Sequence, residues 1–222
     1  MKIIYTEKIS STNDYLKKLK KVTEDTAIIA KKQTGGRGTK GRSFICEEGG
    51  VYLSLLKLYP CSASQSFSIM ENSALAVVKT LKSFGVEAGI KWPNDIIVNG
   101  KKICGILIEN VFEGDEVARS VIGIGLNVNN PIANEIKGIA ISTKEVLGTK
   151  LDEKTVASTI LYHLYLPSRH EEYEKRLLFL GEEVTVITEK STYKAIIDKV
   201  LPNGNLQLKD GTVLSSAEVS IR

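Results

Sequence analysis

The chain has 222 residues, 42% of them hydrophobic, and 30 Lys and Arg against 26 Asp and Glu give a net charge of +4. That length suits one large domain or a domain with a small appendage, and the mixed-sign charge is that of an ordinary surface rather than a nucleic-acid-coating one. Three cysteines without CxxC spacing exclude a disulfide framework or zinc knuckle and fit a reducing, cytoplasmic compartment, no apolar run approaches the roughly 18 residues of a membrane-spanning helix, and a 6% aromatic content argues against a base-stacking platform.

After a short apolar start at Ile3, Ile4 and Tyr5, Ser11 or Thr12 stands where an N-cap belongs, ahead of Tyr15, Leu16 and Leu19 in a first helix. Residues 26–30 read as a strand and lead into the glycine-rich segment QTGGRGTKGR, residues 33–42, before a second strand at 51–58. From 66 to 84 apolar residues recur at helical spacing, and Gly85 follows as a C-cap. Residues 95–98 and 101–110 form two β runs joined by Asn99-Gly100, a two-residue hairpin signal, and Glu113-Gly114-Asp115 turns the chain into 117–124. Three consecutive antiparallel strands follow from this, a meander rather than βαβ crossovers. Residues 155–180 read as mostly helical with a break at Pro167, and from Gly181 short β runs punctuated by Asn203-Gly204 and Asp210-Gly211 predict a small all-β appendage. The expected boundary divides residues 1–180 from 181–222.

Gly36, Gly38 and Gly41 satisfy GxGxxG, and Gly36 to Ser43 approaches a Walker A loop, yet both motifs need a helix at the last glycine, and RSFICEEGGVYLSLL reads as turn and strand. What remains is a loop whose glycines allow close backbone approach and whose Arg37, Lys40 and Arg42 can neutralise a polyphosphate or carboxylate. The alternative is a solvated basic loop without a ligand. In KWPND, Pro93 drives Trp92 towards an extended conformation, so Lys91, Asn94 and Asp95 gather at a strand entrance. The hairpin returns Lys102 towards Asp95, a pair whose plain reading is a surface salt bridge of about 0–1 kcal/mol. Strict alternation puts Lys102 and Gly105 on opposite faces, so both can line one pocket only if the strand starts with a bulge.

Together SSTN (Ser10 to Asn13), QTGGRGTKGRSF, GVYLSL, KWPNDIIVNGKKICGILIE, GIGLNVN and the terminal EVSIR resemble, in order and spacing, the biotin protein ligases. The resemblance implies an α/β (α+β) fold, a mixed, largely antiparallel sheet with flanking helices of the class II synthetase type, followed by a small C-terminal SH3-like β-barrel. It also implies a short form without the DNA-binding winged helix that some members carry, since SSTN begins at Ser10.

The activity it implies has two steps: ATP, with Mg2+, activates biotin as biotinyl-5′-AMP, and a lysine of a biotin carboxyl carrier protein domain then displaces AMP. By resemblance the catalytic residues are Lys102, Arg37 and Asp95, with Asp95 orienting Lys102 or assisting the acceptor amine. Biotin would be held by Ser11, Thr12, Gln33, Gly36, Arg37, Gly38, Lys102, Gly105, Leu107 and Gly123. ATP would be held by Arg37, Arg42, Phe44, Lys91, Asn94, Lys102 and Asn127, with Phe44 where the family commonly has tryptophan. Thr39 replaces the second arginine of a loop that often reads GRGRxGR, and Ala217 replaces a glycine before EVSIR.

No metal site of the chain's own is expected, and HEEYE at His170 to Glu174 falls one residue short of a zincin motif. The expected partner is the carrier domain, a homodimer is admitted, and neither DNA nor membrane is expected. A lipoate ligase, with the same carboxylate activation, and a non-catalytic nucleic-acid-binding module are the rival readings.

Overall fold

The structure, a computed structural model, describes residues 1–58, 61–188, 191–216 and 220–221. Ala217 and most of EVSIR lie outside the described residues. Strand β1 (Lys2–Ile9) is followed by helix α1 (Thr12–Lys17), β2 (Thr26–Gln33), β3 (Val51–Lys57), β4 (Cys61–Ser62) and helix α2 (Phe67–Ser83). Next come β5 (Gly89–Lys91), β6 (Asp95–Val98), β7 (Lys101–Glu113), β8 (Glu116–Leu126) and three helices, α3 (Thr143–Leu147), α4 (Glu153–Leu164) and α5 (His170–Glu174). Five short strands complete the chain: β9 (Glu183–Ile187), β10 (Thr192–Val200), β11 (Leu206–Leu208), β12 (Val213–Leu214) and β13 (Ser220–Ile221).

The first eight strands form one sheet in the order β1-β2-β3-β8-β7-β6-β5, with β4 beside β8. Only β1 and β2 run parallel in it, so the sheet is mixed and largely antiparallel. β3, the run VYLSLL, is buried on both faces because helices cover each side of it. On one face Leu53 and Leu55 meet the apolar stripes of α2 and α4 in the main core; on the other, Leu16 of α1 packs with Ile28, Leu56 and Val121.

Local signals explain the ends of these elements. Ser11 caps α1 by accepting the Asp14 N–H, and Asn99 and Gly100 take φ of +50° and +72°, the left-handed pair that a type I′ hairpin needs. The expected helix over 155–180 is realised only as α4 and α5. Residues 175–180 are drawn out instead by the open edge of β5, where Ile90 N–H donates to the Arg176 carbonyl at 2.7 Å and Leu178 N–H to the Ile90 carbonyl at 2.8 Å. Hydrogen bonding at a sheet edge has overridden helical periodicity there.

The last five strands form a second antiparallel sheet in the order β12-β11-β10-β9-β13. Polar links tie it to the body, among them Glu174 of α5, which accepts the Val200 N–H at 3.4 Å. Trp92 Nε1 donates to the Gly204 carbonyl at 2.9 Å, and His170 bridges Glu71 of α2 through Nδ1 (2.5 Å) and the Val200 carbonyl through Nε2 (3.1 Å). Partial burial would lower the His170 pKa, but the hydrogen bond and charge of Glu71, with Glu174 behind it, outweigh that and hold it above its ordinary value. Burial pushes Glu71 upward as well, against the pull of His170.

A folded-state histidine pKa above the unfolded one stabilises most below the unfolded value and loses that contribution as pH rises through the folded one. Glu71 acts in the same direction. The melting temperature is therefore expected to fall by about 2–4 °C, for about 1 kcal/mol lost, as pH is raised from about 6 to about 9, and His170→Gln should flatten that slope. Parallel Tm–pH curves for the two proteins would show that His170 does not carry the link.

Candidate functional site

The face of the sheet under α1 holds two adjoining cavities. The narrow one is lined by Ser11 and Thr12 from the start of α1, Gln33 from the end of β2, Arg37, Gly38 and Thr39 from the glycine loop, and Gly105, Leu107 and Gly123 from β7 and β8. The wider one is lined by Arg42, Lys91, Asp95 and Asn127, with walls from residues 136–140 and 175–179. Phe44 and Lys102 line both.

Lys102 reaches the shared wall because β7 begins with a bulge. Ile97 pairs with Lys102 while Ile96 pairs with Cys104, so Ile103 is the inserted residue. This brings the Lys102 side chain onto the Gly105 side of the strand, where a β-carbon on Gly105 would stand 3.1 Å from Nζ. The bulge that the two residues required is present. Lys102 Nζ then meets Asp95 Oδ1 at 2.6 Å, and its backbone is held by Ile139 and Ile141, which accept from and donate to it at 2.8 and 3.0 Å.

Phe44 lies across Gly105 and Gly125, which face one another in the β7–β8 pair. A β-carbon on Gly125 would come within 2.8 Å of the ring, and Lys102 Nζ stands 5.9 Å from its centroid. The aromatic wall is therefore seated in a slot made by two absent side chains.

The glycine loop folds back on itself, with an Arg37–Ser43 bridge and a Gly38 N–H donated to the Arg42 carbonyl at 2.6 Å. A short 3-10 turn at Thr39–Gly41, rather than an α-helix, closes it, so neither a dinucleotide loop nor a Walker A loop is formed. The Arg37 guanidinium grips both oxygens of Asp14 at 2.7 and 2.8 Å, tying the loop to α1 beside the narrow cavity.

Several expected site residues serve the fold as well as the cavities. Gly36 does not line the narrow cavity; it packs against the Phe44 carbonyl and Cys46 Sγ, where a side chain would collide. Asn94 lines the narrow cavity rather than the wide one and gives its Nδ2 to the Ile106 carbonyl at 2.8 Å. Asn127 reaches the wide cavity, but its amide donates to the Ile141 carbonyl at 3.3 Å and accepts from Asn130 at 3.0 Å. Burial pushes the Cys46 thiol up to about 11, against the Gln33 amide that donates to it at 3.1 Å.

Asn13, which lines the narrow cavity, and Ser54, buried beneath it, are polar residues that were not singled out from the sequence. Asn13 belongs to SSTN and occupies the space above Gly123; Ser54 lies under both Thr12 and Asn13. The signal for Ser54 was there, a lone polar residue in an otherwise apolar buried strand. The wall at 136–140 comes from a segment without periodicity or motif, and that at 175–179 from one whose sequence reads as helix. Among the described residues no group of three or more His, Cys, Asp or Glu side chains is arranged to hold a metal ion. His163 is bonded to Thr80 Oγ1 at 2.9 Å, and His170 is engaged as described above.

The fold of the whole chain is similar to that of solved biotin protein ligases. The enzyme from Aquifex aeolicus, in complex with biotin and ATP, matches with a TM-score of 0.82 and 28% identity over 100% of this chain and 98% of that one. Among curated proteins, the bifunctional ligase/repressor BirA of Bacillus subtilis is 38% identical over 178 residues, 77% of this chain and 54% of that protein. A biotin--[acetyl-CoA-carboxylase] ligase of Paracoccus denitrificans is 32% identical over 107 residues, 46% of this chain and 43% of that one. The chain thus spans about half the length of such curated relatives. Residues 5–127 match the model of the biotin/lipoate A/B protein ligase family, and the chain belongs to that family.

The seating of Phe44 gives a direct test. Gly125→Ala is expected to destabilise the chain by about 0.5–1.5 kcal/mol more in the wild-type background than beside Phe44→Ala, because the collision exists only with the ring present. Equal costs in the two backgrounds, measured by urea unfolding, would remove the slot from the account.

Proposed function

We propose that the chain is an ATP-dependent biotin ligase that activates biotin as biotinyl-5′-AMP and transfers it to a lysine of a biotin carboxyl carrier protein domain. The observation that carries this reading is the position of Lys102, whose ammonium stands in the wall common to both cavities with Asp95 at 2.6 Å. The narrow cavity, with a few polar groups on an apolar frame, suits a fused-ring acid. The wide cavity, with Arg42 and Lys91, suits a nucleoside triphosphate.

The first step brings a carboxylate against an α-phosphate, and the repulsion between two anions opposes it. An ammonium between them screens the approach and stabilises the charge that grows on the phosphoryl oxygens. Asp95 holds Lys102 in that direction. The carboxylate oxygen bonds to the α-phosphorus and pyrophosphate leaves; in the second step the acceptor amine, after losing a proton, attacks the acyl carbon and AMP leaves. Mg2+ would arrive with ATP and neutralise phosphate charge, held largely by phosphate oxygens and water.

The same reading assigns Ser11, Thr12, Gln33, Arg37, Gly38, Lys102, Gly105, Leu107 and Gly123 to biotin, and Arg37, Arg42, Phe44, Lys91, Lys102 and Asn127 to the nucleotide. It puts the division between a catalytic part, 1–180, and a small β part, 181–222, next to the Leu180–Ile197 bridge. A cytoplasmic location belongs to the proposal, because carrier domains and ATP meet there. No helix among the described residues is long and apolar enough to cross a membrane.

ATP–pyrophosphate exchange with Mg2+ tests the first step without the carrier: biotin should stimulate it, and lipoate should not. Lys102→Ala should lower biotin-dependent exchange by about 10²–10³-fold, the usual loss for one donor at a developing anion, with an unchanged Tm. Retained exchange in that variant would remove Lys102 from the mechanism.

A second expectation follows from Thr39, which lines the narrow cavity where the family loop often carries arginine. Thr39→Arg should slow dissociation of the adenylate, followed by release of labelled biotinyl-AMP. Equal rates would mean that the loop does not retain the intermediate through this position.

A further inference from the structure

The floor of the narrow cavity is a chain of polar side chains that ends outside it, at Glu109 on β7. Glu109 accepts from Lys17 Nζ at 2.6 Å and from Asn13 Nδ2 at 3.0 Å. Burial would raise the Glu109 pKa, but the Lys17 ammonium and the Asn13 amide outweigh it and hold the carboxyl below its ordinary range. An ionised carboxylate only accepts hydrogen bonds, so it dictates which end of the Asn13 amide faces it. Nδ2 points to Glu109, and Oδ1 therefore points inward, above Gly123 and onto Ser54 Oγ at 2.5 Å.

The constraint propagates by counting protons. Asn13 Oδ1 cannot donate, so the single hydroxyl proton of Ser54 goes to it. Ser54 Oγ shares that proton with Thr12 Oγ1 at 2.7 Å, and the Thr12 proton goes to Gln33 Oε1 at 2.9 Å. Gln33 Oε1 also takes the Thr12 backbone N–H at 2.7 Å, which turns Nε2 the other way, towards Cys46 Sγ. Ser54 is fully buried and Asn13 is 5% exposed, so bulk water does not reorganise the chain.

We infer that Glu109 is a specificity-determining positioning residue: from outside the narrow cavity it sets the donor and acceptor polarity of Asn13 and, through it, the direction of the Ser54 hydroxyl beneath Thr12, and so selects an acid whose ring carries matching N–H and C=O groups. The inference rests on the biotin-activating reading and deepens it. A cyclic urea has two N–H donors and one carbonyl to match against a fixed pattern; a disulfide ring has neither and gains nothing from it.

The test reads KM and kcat for biotin and for ATP in pyrophosphate exchange, together with the Kd of biotin by titration calorimetry, on the full chain. Glu109→Ala should raise KM and Kd for biotin about tenfold, leaving kcat and the KM for ATP within twofold. Lys17→Met removes the ion pair but leaves the Asn13 bond, and should keep the biotin KM within about threefold. Asn13→Asp alone opposes two carboxylates and should raise the biotin KM at least as much as Glu109→Ala. Combining it with Glu109→Gln should recover most of the affinity, because the new amide donates where Asn13 did while the new carboxylate still accepts from Ser54.

A wild-type biotin KM in Glu109→Ala, or a double variant no better than Asn13→Asp alone, overturns the inference. So does a loss that falls equally on biotin and ATP with a lowered Tm, which marks a merely structural role. Biotin binding without exchange in the wild type would sink the ligase reading while leaving the Kd comparison to decide the role of Glu109. No binding at all would overturn both.

Discussion

An ammonium that must serve two neighbouring anions has to stand in the wall between their binding spaces, and in this chain that requirement is met by one inserted residue in β7. Regular alternation would send Lys102 and Gly105 to opposite faces of the sheet. With Ile103 bulged, Lys102 comes round to the Gly105 side, above the open backbone of that glycine. Asp95 sits on the strand across the hairpin and pairs with Gly105, so the same register that opens the floor also supplies the carboxylate that aims the lysine. Bulge, hairpin and glycine thus form one device, and the left-handed Asn99-Gly100 turn fixes its register.

Absent side chains do as much as present ones at this face. Gly105 and Gly125 stand opposite each other on two central strands, and Phe44 fills the space that their β-carbons would take. Gly123 makes the corresponding room for Asn13, and Gly36 for the turn at Phe44 and Cys46. Each of these glycines weakens its local backbone preference. The close approaches that result cannot be made any other way, which accounts for glycine in strands that are otherwise apolar and β-branched.

Legibility in the sequence followed the range of the interactions involved. The hairpin, the three-strand meander, the α2 stripe and the late β segment depend on neighbours within a few residues and could be read from periodicity and turn residues. The Lys102–Asp95 pair was legible for the same reason, because a two-residue turn leaves little freedom in what faces what. The edge that draws out residues 175–180 was not, since nothing local announces that β5 needs a partner. The link from Trp92 to Gly204 spans 112 positions and was likewise hidden; nothing near Trp92 in sequence announces that its indole ties the small sheet to the body. Asn13 and Ser54 fall between these cases, each conspicuous by type but meaningful only when brought together.

The small sheet is less separate than its sequence pattern suggests. Val184, Val186, Ile197, Val200, Leu206, Leu208 and Leu214 belong to the same continuous apolar core as α2, α4 and the large sheet. A five-stranded sheet of such short strands has little interior of its own, so it gains stability by sharing one. The polar links are placed where that sharing meets the site: Trp92 immediately precedes the Pro93-Asn94-Asp95 entrance to β6, and Tyr173 of α5 donates to the Pro93 carbonyl at 2.9 Å. A displacement of the small sheet would therefore pull on the strand that carries Asp95, and through it on the direction of Lys102. One of the connections between the two sheets thus runs through the segment that aims the lysine.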